Sequence, residues 1–328
     1  MKKHTHTKER DKHFNLNALV EACCERMEKE YQQHNRLPTP IPSPIIEITK
    51  ESNGVSTIWI QVPTILATDY KPGQYFMCWN PYDSEGGMSK KNYNSEKPYS
   101  VGDIRVDRSG IDEETAPDQG LDGSTMMGFT IKNLGRQSGE LIKMEKGDWF
   151  AIRGPFGTNF QTPNFGETLI LVSGGIGSTP MHMAAKEARN KLGDKLTIHS
   201  IMGFQTSDDV HYHDKMGEIC DSVTVTTDDG SFGLQGYPTI PLREIISNCE
   251  PSNTKLFTCG PEPMMKPVLE ICEENGIESY AAMERYLPCS VAACGLCMVG
   301  DRLTCRQGPV MEGSWLLEQD DFGSPHYH

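Results

Sequence analysis

No stretch of the 328 residues stays apolar for the roughly eighteen positions that a membrane-spanning helix needs, and mean hydropathy is −0.50. A bilayer-spanning helix is therefore not expected. The opening residues, MKKHTHTKERDKH, lack the apolar core of a secretory signal, so none is expected there either. Positive charge is scarce: 31 Lys and Arg face 45 Asp and Glu, for a net charge of −14. Phosphate backbones require a basic face, which argues against nucleic acid as a partner. A disulfide framework is missing too. The cysteines number 11, an odd count with four in one stretch, and this fits a reducing compartment such as the cytoplasm. Internal repeats and a convincing nucleophile–base pairing are also absent. The length suits two or three domains with real cores.

The crowded cysteines are Cys289, Cys294, Cys297 and Cys305, spaced C-x4-C-x2-C-x7-C. Between the first three stand Ser290, Val291, Ala292, Ala293, Gly295 and Leu296, all small or apolar. Small residues let a loop close round an inorganic core with its N–H groups free to face sulfur, and four thiolates are the usual ligands of a [2Fe–2S] cluster. A zinc site would more often show two C-x2-C knuckles, and only one is present. Zinc and unrelated buried cysteines stay open as alternatives on the residues alone.

Taken in order, residues 1–13 are polar and aperiodic. From Phe14 to about Tyr31, Leu16, Leu19, Val20, Cys23, Met27 and Tyr31 form a helical stripe. That stripe must pack on its own body or on a partner subunit. Pro38, Pro40, Pro42 and Pro44 alternate with other residues, and this predicts a stiff spacer outside any sheet ladder. Residues 1–44 thus read as an N-terminal arm. From residue 45 to about 163 come short strand-like runs, at Ile45–Ile48, Thr57–Val62, Tyr75–Trp79, Tyr99–Val101, Gly128–Ile131 and Trp149–Ile152, which predict an antiparallel β-barrel. Two long polar insertions, about 80–96 and 105–125, interrupt them. Over residues 164–280 strands alternate with helices, which predicts a parallel-sheet α/β domain. Residues 281–328 hold the cysteine cluster as a small C-terminal domain.

Some turns carry chemistry. Gly174, Gly175 and Gly177 sit where a strand hands over to a helix, a place where backbone can approach a pyrophosphate near free N–H donors. The spacing is not G-x-G-x-x-G, and tight packing explains such a turn about as well. Cys259-Gly260-Pro261 closes another strand at the same expected sheet edge. Lys97-Pro98-Tyr99-Ser100 offers a cation, an aromatic face and a hydroxyl, and Arg153-Gly154-Pro155-Phe156-Gly157 reads as a tight turn.

The order K-P-Y-S, R-G-P-F-G, V-S-G-G-I-G-S-T-P, C-G-P-E-P-M-M and then four cysteines resembles the ferredoxin–NADP reductase-like family. Within it, the chain most resembles the electron-transfer subunits of class B dihydroorotate dehydrogenases, over about Pro44 to Phe322. Thr227–Gly233, Cys305–Val310 and Asp321-Phe322-Gly323 add to the likeness. The resemblance implies FAD, a [2Fe–2S] cluster and NAD as cofactors. It implies that Lys97, Pro98, Tyr99, Ser100, Thr130, Ile131, Lys132, Gln137 and Ser138 hold FAD, with Ser100 near the reactive ring nitrogen and Ser138 at the pyrophosphate. Gly174, Gly175, Gly177, Thr179 and Pro180 would receive the nicotinamide nucleotide, with Cys259 and Gly260 beside its ring. Ser100 and Cys259 are the catalytic candidates, and Cys289, Cys294, Cys297 and Cys305 would ligate the cluster. Lys97 replaces a usual Arg and so loses bidentate phosphate contact.

The implied fold is a FAD-binding β-barrel, then a nucleotide-binding α/β domain, then the cluster segment. The implied function is NAD(P)H-linked electron transfer to or from a catalytic partner subunit, most closely a dihydroorotate dehydrogenase of pyrimidine biosynthesis. The short x7 gap also resembles the gamma subunits of cytoplasmic hydrogenases and of sulfite-reducing enzymes, and a stand-alone flavin reductase is a further alternative. The loop Gly203–Asp209 lacks Arg and Lys and carries Asp208 and Asp209, which favours NAD over NADP.

Overall fold

The structure, a computed structural model, describes residues 16–81, 96–106, 125–164 and 166–324. Most of the two polar insertions, and the first residues of the predicted arm helix, lie outside the described residues. The chain opens with α1 (Leu16–His34), then β1 (Leu37–Ser52), β2 (Val55–Gln61), α2 (Thr64–Asp69), β3 (Tyr75–Trp79), β4 (Lys97–Val106), β5 (Thr125–Lys132), α3 (Arg136–Leu141) and β6 (Trp149–Phe156). Six strands close into an antiparallel barrel in the order β1-β2-β5-β4-β3-β6. Its interior is filled by Ile45, Ile58, Ile60, Phe76, Phe129, Phe150 and Ile152. The edge-on contact of Phe76 with Phe129, 5.5 Å between centroids, anchors that core.

The arm helix packs on its own barrel. Met27 and Tyr31 are buried in the same core as Leu37, Ile41 and Leu66, and the Tyr31 hydroxyl donates to Asp69 Oδ2 at 3.2 Å. Burying a Met side chain contributes about 1.5–3 kcal/mol, which holds down a helix that would be marginal alone. The proline run departs from the spacer expected of it. Leu37 to Pro44 runs along β6, with Ile41 opposite Ile152 and Ser43 opposite Phe150, and from Ile45 onward β1 pairs with β2 instead. Alternate residues of a strand point their amides to the same side. Prolines at every second position therefore leave Ile41 and Ser43 able to bond one neighbour, while the other edge needs no donors there.

The second sheet collects β7 (Thr168–Gly174), β8 (Thr197–Phe204), β9 (Ser222–Thr227), β10 (Leu234–Gln235), β11 (Thr254–Cys259) and β12 (Glu278–Ala282), in the order β10-β9-β8-β7-β11-β12. These six run parallel. β7 reads Thr-Leu-Ile-Leu-Val without alternation because both its faces are covered. Leu169 and Leu171 enter one core and Ile170 and Val172 the other. The helix α4 (Ser178–Leu192) follows β7, α5 (His213–Gly217) precedes β9, α6 (Thr239–Ile246) follows β10, and α7 (Glu262–Glu274) follows β11. Strand order reverses between β7 and β11, which makes their carboxyl ends a topological switch point.

The C-terminal segment is not set apart. A two-stranded ribbon, Met298–Val299 with Arg302–Leu303, leads to a short helix at Thr304–Gln307. Val310–Glu312 then joins the sheet antiparallel to β12. Phe322 and Leu316 pack on Met265 and Leu269 of α7. Among the described residues no helix is long and apolar enough to cross a membrane.

Candidate flavin and nucleotide cleft beside a cysteine loop

A cleft of about 520 Å³ opens between barrel and parallel sheet. The barrel supplies Lys97, Pro98, Tyr99 and Ser100 from β4, Thr130 and Lys132 from β5, and Gln137 and Ser138 from α3. The sheet supplies Thr179 and Pro180 from the start of α4 and Cys259 from the end of β11. Those expected residues thus share one cavity. Ile131 does not line it, because its side chain is fully buried in the barrel core. Gly174, Gly175, Gly177 and Gly260 do not line it either.

The glycines have a second task. A Cβ on Gly177 would lie 2.1 Å from the Cys259 carbonyl oxygen, and one on Gly260 would lie 2.9 Å from the Gly174 nitrogen. The two sheet-edge turns are therefore pressed backbone to backbone. Gly175 alone of the three has open space around it, at a φ of +53°.

The donors in the cleft suit a nucleotide. No side chain caps the N-terminus of α4; the Ser178 N–H is bonded back to the Gly175 and Ile176 carbonyls and Pro180 has none, so what this end offers an anion is the helix dipole and the glycine turn before it. Thr179 Oγ1 is buried and has no hydrogen-bond partner, so a bound polar group there would satisfy it. Lys97 lies over the Tyr286 ring, 4.7 Å from its centroid. Ser138 Oγ accepts the N–H groups of Leu134 and Gly135 at 2.9 and 3.1 Å, which fixes the loop before α3. Lys132 reaches Asp209 at 3.2 Å and Glu51 holds Lys215 through both carboxylate oxygens. Lys186 binds Asp103 across the same boundary. Asp209 is thereby committed to an ion pair between domains.

A chain of hydroxyls also crosses: Thr57 to Thr130 at 2.9 Å, and Thr130 to Tyr212 at 2.7 Å. His182 Nδ1 contacts the Gly102 carbonyl at 2.8 Å. Burial pushes the pKa of His182 and of His211 below the ordinary value.

Sequence reasoning missed the segment Met283–Leu287, which forms the wall facing β4. Glu284 is the notable member. Burial, followed by the nearby Glu262, raises its carboxyl pKa. The Cys259 thiol points to Glu284 Oε1 at 3.9 Å and is itself pushed well up by burial and then by Glu284. The only signal in the sequence is a run of charged residues, Glu284 and Arg285, between a strand and the cysteines. Tyr75 and Leu287 were missed too. Both line the cleft and both pack with Cys297 and Cys305 in one apolar cluster.

The four cysteines stand behind that wall. Cys297 and Cys305 are buried, Cys289 is half-buried and Cys294 exposed. The thiols perturb one another in two pairs, Cys289 with Cys294 and Cys297 with Cys305. Burial opposes ionisation of Cys289, yet the backbone N–H groups of Val291, Ala293 and Cys294 bring its pKa down to about 7. Burial and then the Cys297 thiol push Cys305 up to about 11, against the N–H of Ala292. Ser290 and Ala292 adopt φ of +55° and +60°, strained conformations that cluster at functional loops. Among the described residues no group of three or more His, Cys, Asp or Glu is arranged as a closed metal site. The donor set still fits an iron–sulfur cluster, with three thiols and several amides from one loop and the fourth thiol from the short helix at Thr304–Gln307.

Comparison with known proteins follows the same lines. A family model, the oxidoreductase NAD-binding domain, matches residues 171–270. The probable dihydroorotate dehydrogenase B (NAD(+)) electron transfer subunit of Methanocaldococcus jannaschii is 31% identical, over 87% of this chain and 94% of that protein. The Clostridium perfringens protein of the same name is 35% identical over 56% of this chain and 73% of its own. The structure of an NADH-dependent reduced ferredoxin-NADP oxidoreductase superposes with a TM-score of 0.66 at 24% identity, covering 85% and 89% of the two chains. The ferredoxin reductase of carbazole 1,9a-dioxygenase shares the fold at a TM-score of 0.55 and 18% identity, over 73% and 66%. With this barrel, this NAD-binding sheet and these relatives, the chain has the ferredoxin reductase-like fold and belongs to the oxidoreductase family of dihydroorotate dehydrogenase B electron transfer subunits.

Proposed function

We propose that this chain passes electrons between NAD, FAD and a [2Fe–2S] cluster on behalf of a separate catalytic subunit that oxidises dihydroorotate in the cytoplasm. NAD is favoured because the relatives' names carry it. When bound, nicotinamide would exchange hydride, flavin would convert between hydride and single electrons, and the cluster would carry electrons one at a time.

The chain's own residues divide that work. Lys97 to Ser100, Thr130, Lys132, Gln137 and Ser138 would hold the flavin against β4. The glycine turn Gly174–Gly177 at the positive end of α4, with Thr179 Oγ1, would take the nucleotide phosphates. Cys259 would close the far side of the nicotinamide site as a neutral thiol directed at Glu284. Cys289, Cys294, Cys297 and Cys305 would hold the cluster. The observation that carries this reading is the shared wall: Tyr75 and Leu287 touch the cleft on one side and pack with Cys297 and Cys305 on the other. One layer of side chains separates the two sites, a separation suited to electron transfer and closed to larger species. Exposed Val291, Leu296 and Met298 ring the cysteine loop, and they give a partner subunit an apolar landing close to the cluster.

Cys297→Ser tests the reading. It should abolish NADH-driven reduction of the catalytic partner or another obligate one-electron acceptor, while reduction of a hydride-accepting dye persists. Survival of both activities would remove the cluster from the path.

A further inference from the structure

Arg153 joins two parts of the molecule that are distant in sequence. It stands on β6 opposite Met77 of β3. Its Nε donates to Glu96 Oε2 at 2.8 Å, and its Nη2 lies 2.7 Å from that same oxygen. Nη2 also donates to the carbonyl oxygen of Cys289 at 2.9 Å. The pair is nearly sealed from solvent, with side chains 11% and 4% exposed. Glu96 immediately precedes the Lys97–Ser100 stretch of the cleft, and Cys289 opens the cysteine loop. Desolvation offsets much of what a buried ion pair contributes to stability, so stability alone explains it poorly. The third bond supplies a better reason. It fixes a cation, in a region largely closed to water, on the backbone of the first candidate cluster ligand.

Building on the reading above, we propose that Arg153, held in place by Glu96, is a positioning residue that sets the placement and the local potential of the cysteine loop relative to the flavin cleft. A guanidinium beside the cluster favours the reduced, more negative form, and hydrogen bonding and charge around such sites tune reduction potential. Glu96 partly cancels that cation and orients it. Replacing Glu96 by its amide keeps the shape and leaves the cation uncompensated, so the cluster becomes easier to reduce. Removing the cation has the opposite effect and also frees the Cys289 carbonyl. Lysine restores the charge without the fork that reaches both partners at once.

The experiment compares full-length wild type, Glu96→Gln, Arg153→Lys and Arg153→Gln, all purified anaerobically. It reads iron content, the EPR spectrum of the reduced cluster, its midpoint potential by EPR-monitored titration, and the rate of iron loss to a chelator. The midpoint potential should rise in Glu96→Gln and fall in Arg153→Gln, with Arg153→Lys nearer wild type. Iron loss from Arg153→Gln should quicken by about tenfold, the lower range for removing an outer-shell partner of a metal ligand. If Arg153→Gln does not fold, Glu96→Gln decides alone. Wild-type EPR spectra and potentials in Glu96→Gln and in every folded Arg153 variant would overturn the inference while leaving the proposed function standing. A wild-type protein with no [2Fe–2S] signal would overturn both.

Discussion

Alanine at position 177 separates packing from binding at the sheet-edge turns. Gly177 has φ −59° and ψ −15°, a helical conformation that alanine adopts freely, so the backbone itself is not strained. The cost is steric. The new methyl would stand 2.1 Å from the Cys259 carbonyl oxygen, 2.5 Å from its carbon and 2.9 Å from the Gly260 nitrogen, where ordinary contact begins at 3.4 Å. All three atoms are backbone and none can rotate away. The turns must part, and overpacking of this kind costs about 1–3 kcal/mol of stability. Function should suffer more, because a displacement of about 1 Å at a reacting geometry costs on the order of 100-fold in rate. In steady-state NADH:dye assays we expect kcat/KM to fall by about that factor, with flavin content unchanged because the barrel is untouched. Gly175→Ala is the control. Its methyl meets open space, and a φ of +53° costs only about 1–2 kcal/mol. Wild-type kcat/KM in Gly177→Ala would refute the claim that these touching turns build the nicotinamide site.

Removing the Tyr212 hydroxyl by Phe leaves Thr130 one buried partner short, and thermal unfolding should show a loss of about 1–3 kcal/mol. Lys97→Met should weaken flavin retention by roughly 10- to 100-fold, the worth of one charge-assisted hydrogen bond, as read by flavin fluorescence on dilution. Burial holds His182 and His211 below the ordinary 6.5, so the unfolded chain binds protons that the folded one refuses. Their contribution is complete above pH 6.5 and declines as pH falls from there toward the lower folded values. The melting temperature should therefore drop between neutral pH and mildly acid pH, and less steeply in a folded His211→Asn variant.

The barrel and the sheet were legible because their strands carry their own patterns, short β-branched and aromatic runs such as Thr57–Val62 in the barrel and a uniformly apolar run in β7. The cysteine segment was legible as a unit because four cysteines crowd seventeen residues; the structure carries three of them on one loop and Cys305 on the short helix after the ribbon. The proline run was misread. Proline blocks only one edge of a strand, and a sequence does not disclose that β1 needs donors on the other edge alone. Met283–Leu287 was missed because those residues enter the cleft only when β12 docks beside β11, a long-range placement with no local signature. The glycines were read for ligand approach, whereas Gly177 and Gly260 chiefly let one turn touch another. Asp209 was read as guarding against a nucleotide 2′-phosphate. Lys132, which no local pattern pairs with it, occupies its carboxylate instead.

Electron flow across the wall of Tyr75 and Leu287 is open to direct observation by anaerobic titration of the purified protein with NADH, followed by absorbance and EPR together. The account predicts bleaching of a flavin band and growth of the EPR signal of a reduced [2Fe–2S] cluster in the same titration, with the cluster signal lost in Cys297→Ser. A colourless protein carrying zinc, or flavin bleaching with no cluster signal in an iron-replete preparation, would contradict it.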